Sequence, residues 1–131
     1  MKTRLFRFFT LLSLSLVLAL PLFGCASNEP ASVPEEKSLT IQVIHKDQQT
    51  TTFEVSTTAA FLDEVLLEHG IVENDQSTYG LYILTADGET ADESNQEWWC
   101  VTRGGERLAT GASDTPVSDG EEYELTLTVG Y

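Results

Sequence analysis

Apolar and polar positions alternate in three stretches of this chain and recur at helical spacing in a fourth. Leu39, Ile41 and Val43 fall on one side of Leu39–His45, with polar residues between the first two pairs. Phe53 and Val55 continue the period of two in Thr51–Val55, and the polar Lys46–Gln49 segment predicts a hairpin between the two strands. The period then changes. Phe61, Leu62, Val65 and Leu66 recur at helical spacing, with Asp63, Glu64 and Glu68 on the opposite side. Thr57 or Thr58 is placed to cap this helix of about three turns, and Gly70 follows where a left-handed stop is favoured. Four further strands are expected. They are Leu81–Leu84, ending at an Asp87-Gly88 turn; Trp98–Val101; Arg107–Ala109, reached through Gly104-Gly105; and a last strand. In that last strand Tyr123, Leu125, Leu127 and Val129 alternate with Glu122, Glu124, Thr126 and Thr128, so one face is buried and one is wet. Strand, strand, helix and then several strands make an α+β domain: a mixed or antiparallel sheet carrying one packed helix, as in β-grasp-like folds.

The first residues read differently. Residues 1–24 hold Lys2, Arg4 and Arg7, no acidic residue, and an apolar run from Leu11 to Leu20 broken only by Ser13 and Ser15. A basic start and a short apolar stretch are the layout of a secretory signal, and the run is shorter than the ~20 residues of a spanning helix. It ends in Leu22-Phe23-Gly24-Cys25, which resembles the bacterial lipobox, with Phe23 bulkier than the usual occupant. The resemblance implies diacylglyceryl and acyl (palmitate-type) chains on Cys25 and a lipid anchor at the extracytoplasmic face of the cell membrane. Residues 25–38, small, polar and proline-containing, read as the lipidated cysteine and a flexible tether; residues 39–131 form the single small folded domain.

Charge narrows the function. Seven basic residues against 21 acidic ones give a net charge of −14 in 131 residues, and loss of the three basic residues of the signal takes it to −17. Such acidity argues against nucleic acid as a partner, and beside anionic lipid it makes the domain stand off the membrane. With Cys25 lipidated, Cys100 has no disulfide partner, so the core alone must hold the fold.

Little catalytic chemistry is visible. Cys100 reads as a buried, inert strand thiol, His69 as a complement to the helix C-terminus, and His45 as a solvated residue at a strand end. Asp87, Glu89, Asp92 and Glu93 offer hard oxygen ligands without the spacing of a calcium loop, and Asp114 and Asp119 sit at turns. No metal site and no catalytic residues are assigned, and an enzyme is not expected. Trp98 and Trp99 are neighbours on a strand and must face opposite ways, which makes one indole core and offers the other as a platform for a flat ligand or a partner.

From Thr57 to Tyr131 the chain resembles the C-terminal domain of the transcobalamin and intrinsic factor family and its bacterial lipoprotein members. Leu62-Asp-Glu-Val-Leu66 is similar to the family's helix and Tyr79-Gly-Leu-Tyr82 to the segment after it. The block Trp98-Trp-Cys-Val-Thr-Arg-Gly-Gly-Glu-Arg-Leu-Ala-Thr-Gly111 is similar to its tryptophan strand and glycine turn, and Pro116–Gly120 and Tyr123–Leu125 to its closing turn and strand. In the vitamin carriers this domain is a lid over a corrin held by a separate helical barrel, which is absent here. The resemblance implies a non-catalytic binding lipoprotein that takes a corrinoid, such as cobalamin, or another flat small ligand in an uptake system. It makes the hairpin Trp98, Trp99, Val101, Gly104, Gly105 and Leu108 the contact surface. Gly104-Gly105 stands where the family often has Asn-Gly, which keeps the turn and loses an amide. The competing reading is a module that docks onto a surface protein or transporter through the same hairpin or a free sheet edge.

Overall fold

The computed structural model describes residues 33–131, with the side chain of Gln76 left aside. The expected signal, the lipidation site Cys25 and most of the tether lie outside the described residues. Strand β1 (Lys37–Ile44) begins two residues inside the segment read as tether. Its antiparallel partner is β2 (Thr50–Thr57), in register from Lys37 opposite Thr57 to Ile44 opposite Thr50. The loop between them is closed by His45 N–H donating to the Gln49 carbonyl at 2.9 Å.

Helix α1 (Leu62–Glu68) follows. It has two turns, where about three were expected, because residues 58–60 are consumed in leaving β2 and Phe61 is extended. Thr57 and Thr58 therefore do not cap it. Thr57 ends β2, its hydroxyl accepting from Ala59 N–H and donating to Glu68, both at 3.0 Å. The free donors at the helix start go elsewhere. Glu64 folds back to accept from Ala60 and Phe61 N–H (3.0 and 3.2 Å), and Leu62 N–H donates to the Thr115 carbonyl at 3.0 Å. Phe61 pairs with Pro116 at the protein surface and does not join the apolar stripe. Gly70, at φ +64°, closes the helix as expected, and Ile71 N–H returns to the Leu66 carbonyl at 2.9 Å.

Two small hairpins follow the helix, where a longer strand Leu81–Leu84 was expected. Pairs β3 (Gln76–Ser77) with β4 (Gly80–Leu81), and β5 (Thr85–Ala86) with β6 (Glu89–Thr90), stand apart from the main sheet. Only Leu81 of the expected strand Leu81–Leu84 is paired; Tyr82 instead ties to the Asp75 carbonyl at 2.8 Å. The Asp87-Gly88 turn is present, with φ of +45° and +77°. Strand β7 (Glu97–Arg103) then turns at Gly104-Gly105 (φ +55° and +84°) into β8 (Glu106–Arg107), shorter than Arg107–Ala109. The last strand, β9 (Glu122–Val129), closes the sheet.

The main sheet is ordered β2-β1-β9-β7-β8, with β1 and β9 parallel and the other pairs antiparallel. The domain is therefore a mixed sheet with one helix. Leu39, Ile41 and Val43 of β1 and Tyr123 and Leu125 of β9 are buried on its inner face beneath Leu62, Val65 and Leu66 of α1. Val129, expected on the buried face, is 63% exposed because it lies beyond the reach of the covering elements. Each fully buried aliphatic side chain contributes about 1.5–3 kcal/mol, so this layer carries most of the stability. No helix among the described residues is long and apolar enough to cross a membrane.

Candidate functional site

The tryptophan pair divides as a strand requires. Trp99 points inward, 6% exposed, donates its indole N–H to the Leu84 carbonyl at 3.0 Å and meets the His45 ring edge-on with centroids 6.3 Å apart. Trp98 points to the other face and is half-buried, its N–H donating to the Gly130 carbonyl at 2.7 Å. With both indole donors occupied, what Trp98 offers outward is its ring.

That ring lines two adjoining recesses. The larger, about 390 Å³, is walled by Tyr82, Trp98, Arg107 and Tyr131. The smaller, about 170 Å³, shares Tyr82 and Trp98 and runs inward past Leu81, Ile83, Val101 and Trp99. Tyr82 is 44% exposed and Tyr131 93%. The Tyr82 hydroxyl donates to Glu93 at 2.7 Å, an interaction that raises its pKa and keeps the phenol neutral. Arg107 reaches the ring from β8, its guanidinium carbon 5.3 Å from the Trp98 ring centroid.

One wall depends on a glycine. Gly80 has φ +102°, and a Cβ there would stand 2.7 Å from Ser113 Oγ. That hydroxyl in turn accepts from Leu81 N–H at 3.0 Å. Close approach and a left-handed backbone together let residues 80–81 lie against residues 112–114.

Of the residues expected to form the contact surface, the structure brings Trp98, Trp99 and Val101 to these recesses. Gly104 and Gly105 form the exposed turn beyond them, and Leu108 packs on the core edge. Sequence reasoning missed Tyr82, Arg107 and Tyr131 as site residues. A signal was present in part: Arg107 is one of very few cations in an acidic chain, and Tyr82 lies in the segment already likened to the family.

The acidic loop and the histidines are committed elsewhere. His45 is not solvated as expected: Nδ1 lies 2.6 Å from Glu89 and Nε2 2.9 Å from Asp87, and its side chain is 18% exposed. The hydrogen bond to Asp87 raises its pKa above the ordinary 6.5, against the pull of burial and with further support from Glu89. The two nitrogens of one imidazole face away from each other, so these carboxylates bracket the ring and do not converge on a common point. Asp92 accepts from Ser94 N–H (3.0 Å) and Asn95 (2.6 Å). Lys46 pairs with the buried Glu97, whose carboxyl it holds below the usual range. Among the described residues no group of three or more histidine, cysteine or acidic side chains is arranged to hold a metal ion. Cys100, expected to be buried, is half-buried on the same outer face as Trp98. His69 ends the helix and its Nε2 lies 3.2 Å from the Ser56 carbonyl.

Residues 59–128 match the family described as Domain of unknown function (DUF4430). The chain belongs to that family. It is similar to a protein of Ruminococcus gnavus ATCC 29149, described as a "putative metal binding protein", at 52% identity and a TM-score of 0.70 over 72% of this chain and 99% of the other. A second solved structure, haptocorrin in complex with Cbi, is similar at 20% identity and a TM-score of 0.65, covering 76% of this chain. The match spans 26% of haptocorrin, and at this identity the likeness is one of fold. Among curated proteins no match is found.

Proposed function

We propose that this chain is a non-catalytic, extracytoplasmic binding domain, held at the membrane by lipid on Cys25, that takes a flat small ligand at the recess beside Trp98. The observation that carries the reading is the cluster of Tyr82, Trp98 and Tyr131 around one recess, an uncovered aromatic wall outside the core. Aromatic faces bind flat rings through dispersion and quadrupole contacts without requiring a donor from the indole. Haptocorrin, of the same fold, is in complex with Cbi, and the Ruminococcus protein is described as metal binding. A corrinoid is a flat ring that carries its own metal, so a site of aromatic walls suits it, and it is the ligand proposed first. The recess covers only part of so large a molecule, and affinity in a two-part clamp depends on both halves. The isolated protein should therefore bind cobalamin weakly.

Calorimetric or absorbance titration of the folded protein with cobalamin tests this directly. Saturable binding in the millimolar range, abolished in a folded Trp98→Ala variant, is the expected result. No binding at that concentration to protein with native circular dichroism would reject a standalone receptor.

One observation favours a second reading. Strand β2 is an eight-residue sheet edge, hydrogen-bonded within the sheet to β1 alone. Such an edge can accept a strand from a surface protein or transporter. Crosslinking in cells separates the two, since docking requires a dominant protein partner indifferent to added corrinoid.

A further inference from the structure

Arg107 stands out electrostatically. Four cations lie among the described residues, and three are engaged by oxygen. Lys37 donates to the Ala59 carbonyl at 2.8 Å, Lys46 pairs with Glu97, and Arg103 pairs with Glu121 at 3.0 Å. Arg107 has no carboxylate within ion-pair distance among the described residues, although the chain carries 21 acidic side chains. Of the four it is the one that lines the recess beside Trp98, with its guanidinium against the indole face. Stacking on an aromatic ring leaves the planar edge of a guanidinium free, and that edge is a two-pronged donor matched to an oxyanion. Arg107 is exposed and, among the described residues, has no carboxylate at ion-pair distance, so the free edge of its guanidinium faces solvent and is open to an anionic group on a ligand.

We propose, resting on the reading of the recess as a ligand site, that its ligand is a flat ring bearing an oxyanion. The ring lies against Tyr82, Trp98 and Tyr131, and the carboxylate, phosphate or sulfonate oxygens accept from Arg107. The aromatic walls supply affinity that any flat ring would gain, whereas Arg107 selects among rings by charge. The protein's overall negative field repels anions at long range. Selectivity therefore comes from the short contact and not from steering.

A matched pair of probes tests this on the full chain: naphthalene-2-sulfonate, and naphthalene-2-sulfonamide as its uncharged counterpart. Quenching of tryptophan fluorescence and calorimetry report binding of each. The sulfonate should bind about tenfold more tightly than the sulfonamide, as a charge-assisted contact at a partly exposed site predicts. In Arg107→Gln the preference for the sulfonate should vanish, whatever change in affinity the two probes share, and Arg107→Lys should restore part of it. Equal affinity of the two probes for the native protein, or a preference that survives Arg107→Gln, would overturn the assignment while leaving the recess as a ligand site. Failure of both probes to bind protein with native circular dichroism would remove the recess reading and this inference with it.

Discussion

Strand β7 serves two regions of the molecule with consecutive residues. On the inner face Trp99 is buried, its N–H tied to Leu84 and its ring against His45, and it reaches only the inner end of the smaller recess. On the outer face Trp98 has the same side chain and an equally satisfied N–H, yet its ring borders open space with Tyr82, Arg107 and Tyr131. The inner region is a continuous sheet-and-helix layer. The outer one is assembled from two-residue hairpins, a glycine-dependent segment and the chain's last residues. A side chain's chemistry thus says less about its role than the layer into which the pleat directs it.

Substitution can break this contrast most sharply at the pair itself. Trp99→Ala should cost about 3–5 kcal/mol in denaturant unfolding, the range for removing a large aromatic from a core. Trp98→Ala should cost about 1 kcal/mol, near the worth of one hydrogen bond, and remove ligand binding. Similar costs for both would mean that the outer region is as much core as the inner. Leu66→Ala, beneath the sheet, should cost about 2–5 kcal/mol by the same experiment and leave probe binding by the remaining folded protein unchanged.

Gly80→Ala sharpens the comparison from the other side. Its new Cβ meets Ser113 Oγ at 2.7 Å on a left-handed backbone, so a loss of about 1–3 kcal/mol is expected. The distinctive result is positional: amide shifts in NMR spectra should concentrate in residues 79–84 and 111–114, sparing β1 and β9. Shifts spread through the sheet would show that the two regions are mechanically one.

The smallest effect concerns pH. Because Asp87 and Glu89 raise the His45 pKa above 6.5, the bracketed imidazolium stabilises the fold fully below that value, and its contribution is lost as pH rises through the folded pKa. Asp87 is shifted oppositely, lowered first by the Thr51 hydroxyl and also by His45, so its share is lost as pH falls through its own depressed pKa. Thermal stability should therefore fall as pH rises above 6.5 through the raised His45 pKa, and His45→Gln should flatten that slope. An unchanged slope would assign it to other groups.

Much of the inner region was legible beforehand. Leu39, Ile41 and Val43, and Tyr123, Leu125 and Leu127, alternate because a strand with one wet face must alternate, and all six are buried. Gly70 and the Asp87-Gly88 and Gly104-Gly105 turns were readable because positive φ selects few residue types. The apparent strand Leu81–Leu84 misled because a short apolar run carries no period, and its backbone partners, Asp75 and Ser113, are supplied by other segments. The helix start was misplaced for a related reason: its capping acceptors come from Glu64 and the distant Thr115 carbonyl, and no hydroxyl at the boundary takes part. His45 looked solvated because its carboxylate partners lie more than forty residues away in the chain.

By itself, then, the order of residues determined a sheet carrying one helix, the turns, and the rule that Trp98 and Trp99 face opposite ways. These follow from local periodicity and backbone sterics, which act over a few residues. The parallel pairing of β1 with β9 that makes the sheet mixed came from the tertiary structure. Only the tertiary structure decided which tryptophan stays outside and which residues join it. Tyr82, Arg107 and Tyr131 meet Trp98 from separate segments: the stretch after β4, strand β8 and the end of the chain beyond β9. Contacts between segments distant in the chain are set by the whole packed arrangement, and that is where the recess arises.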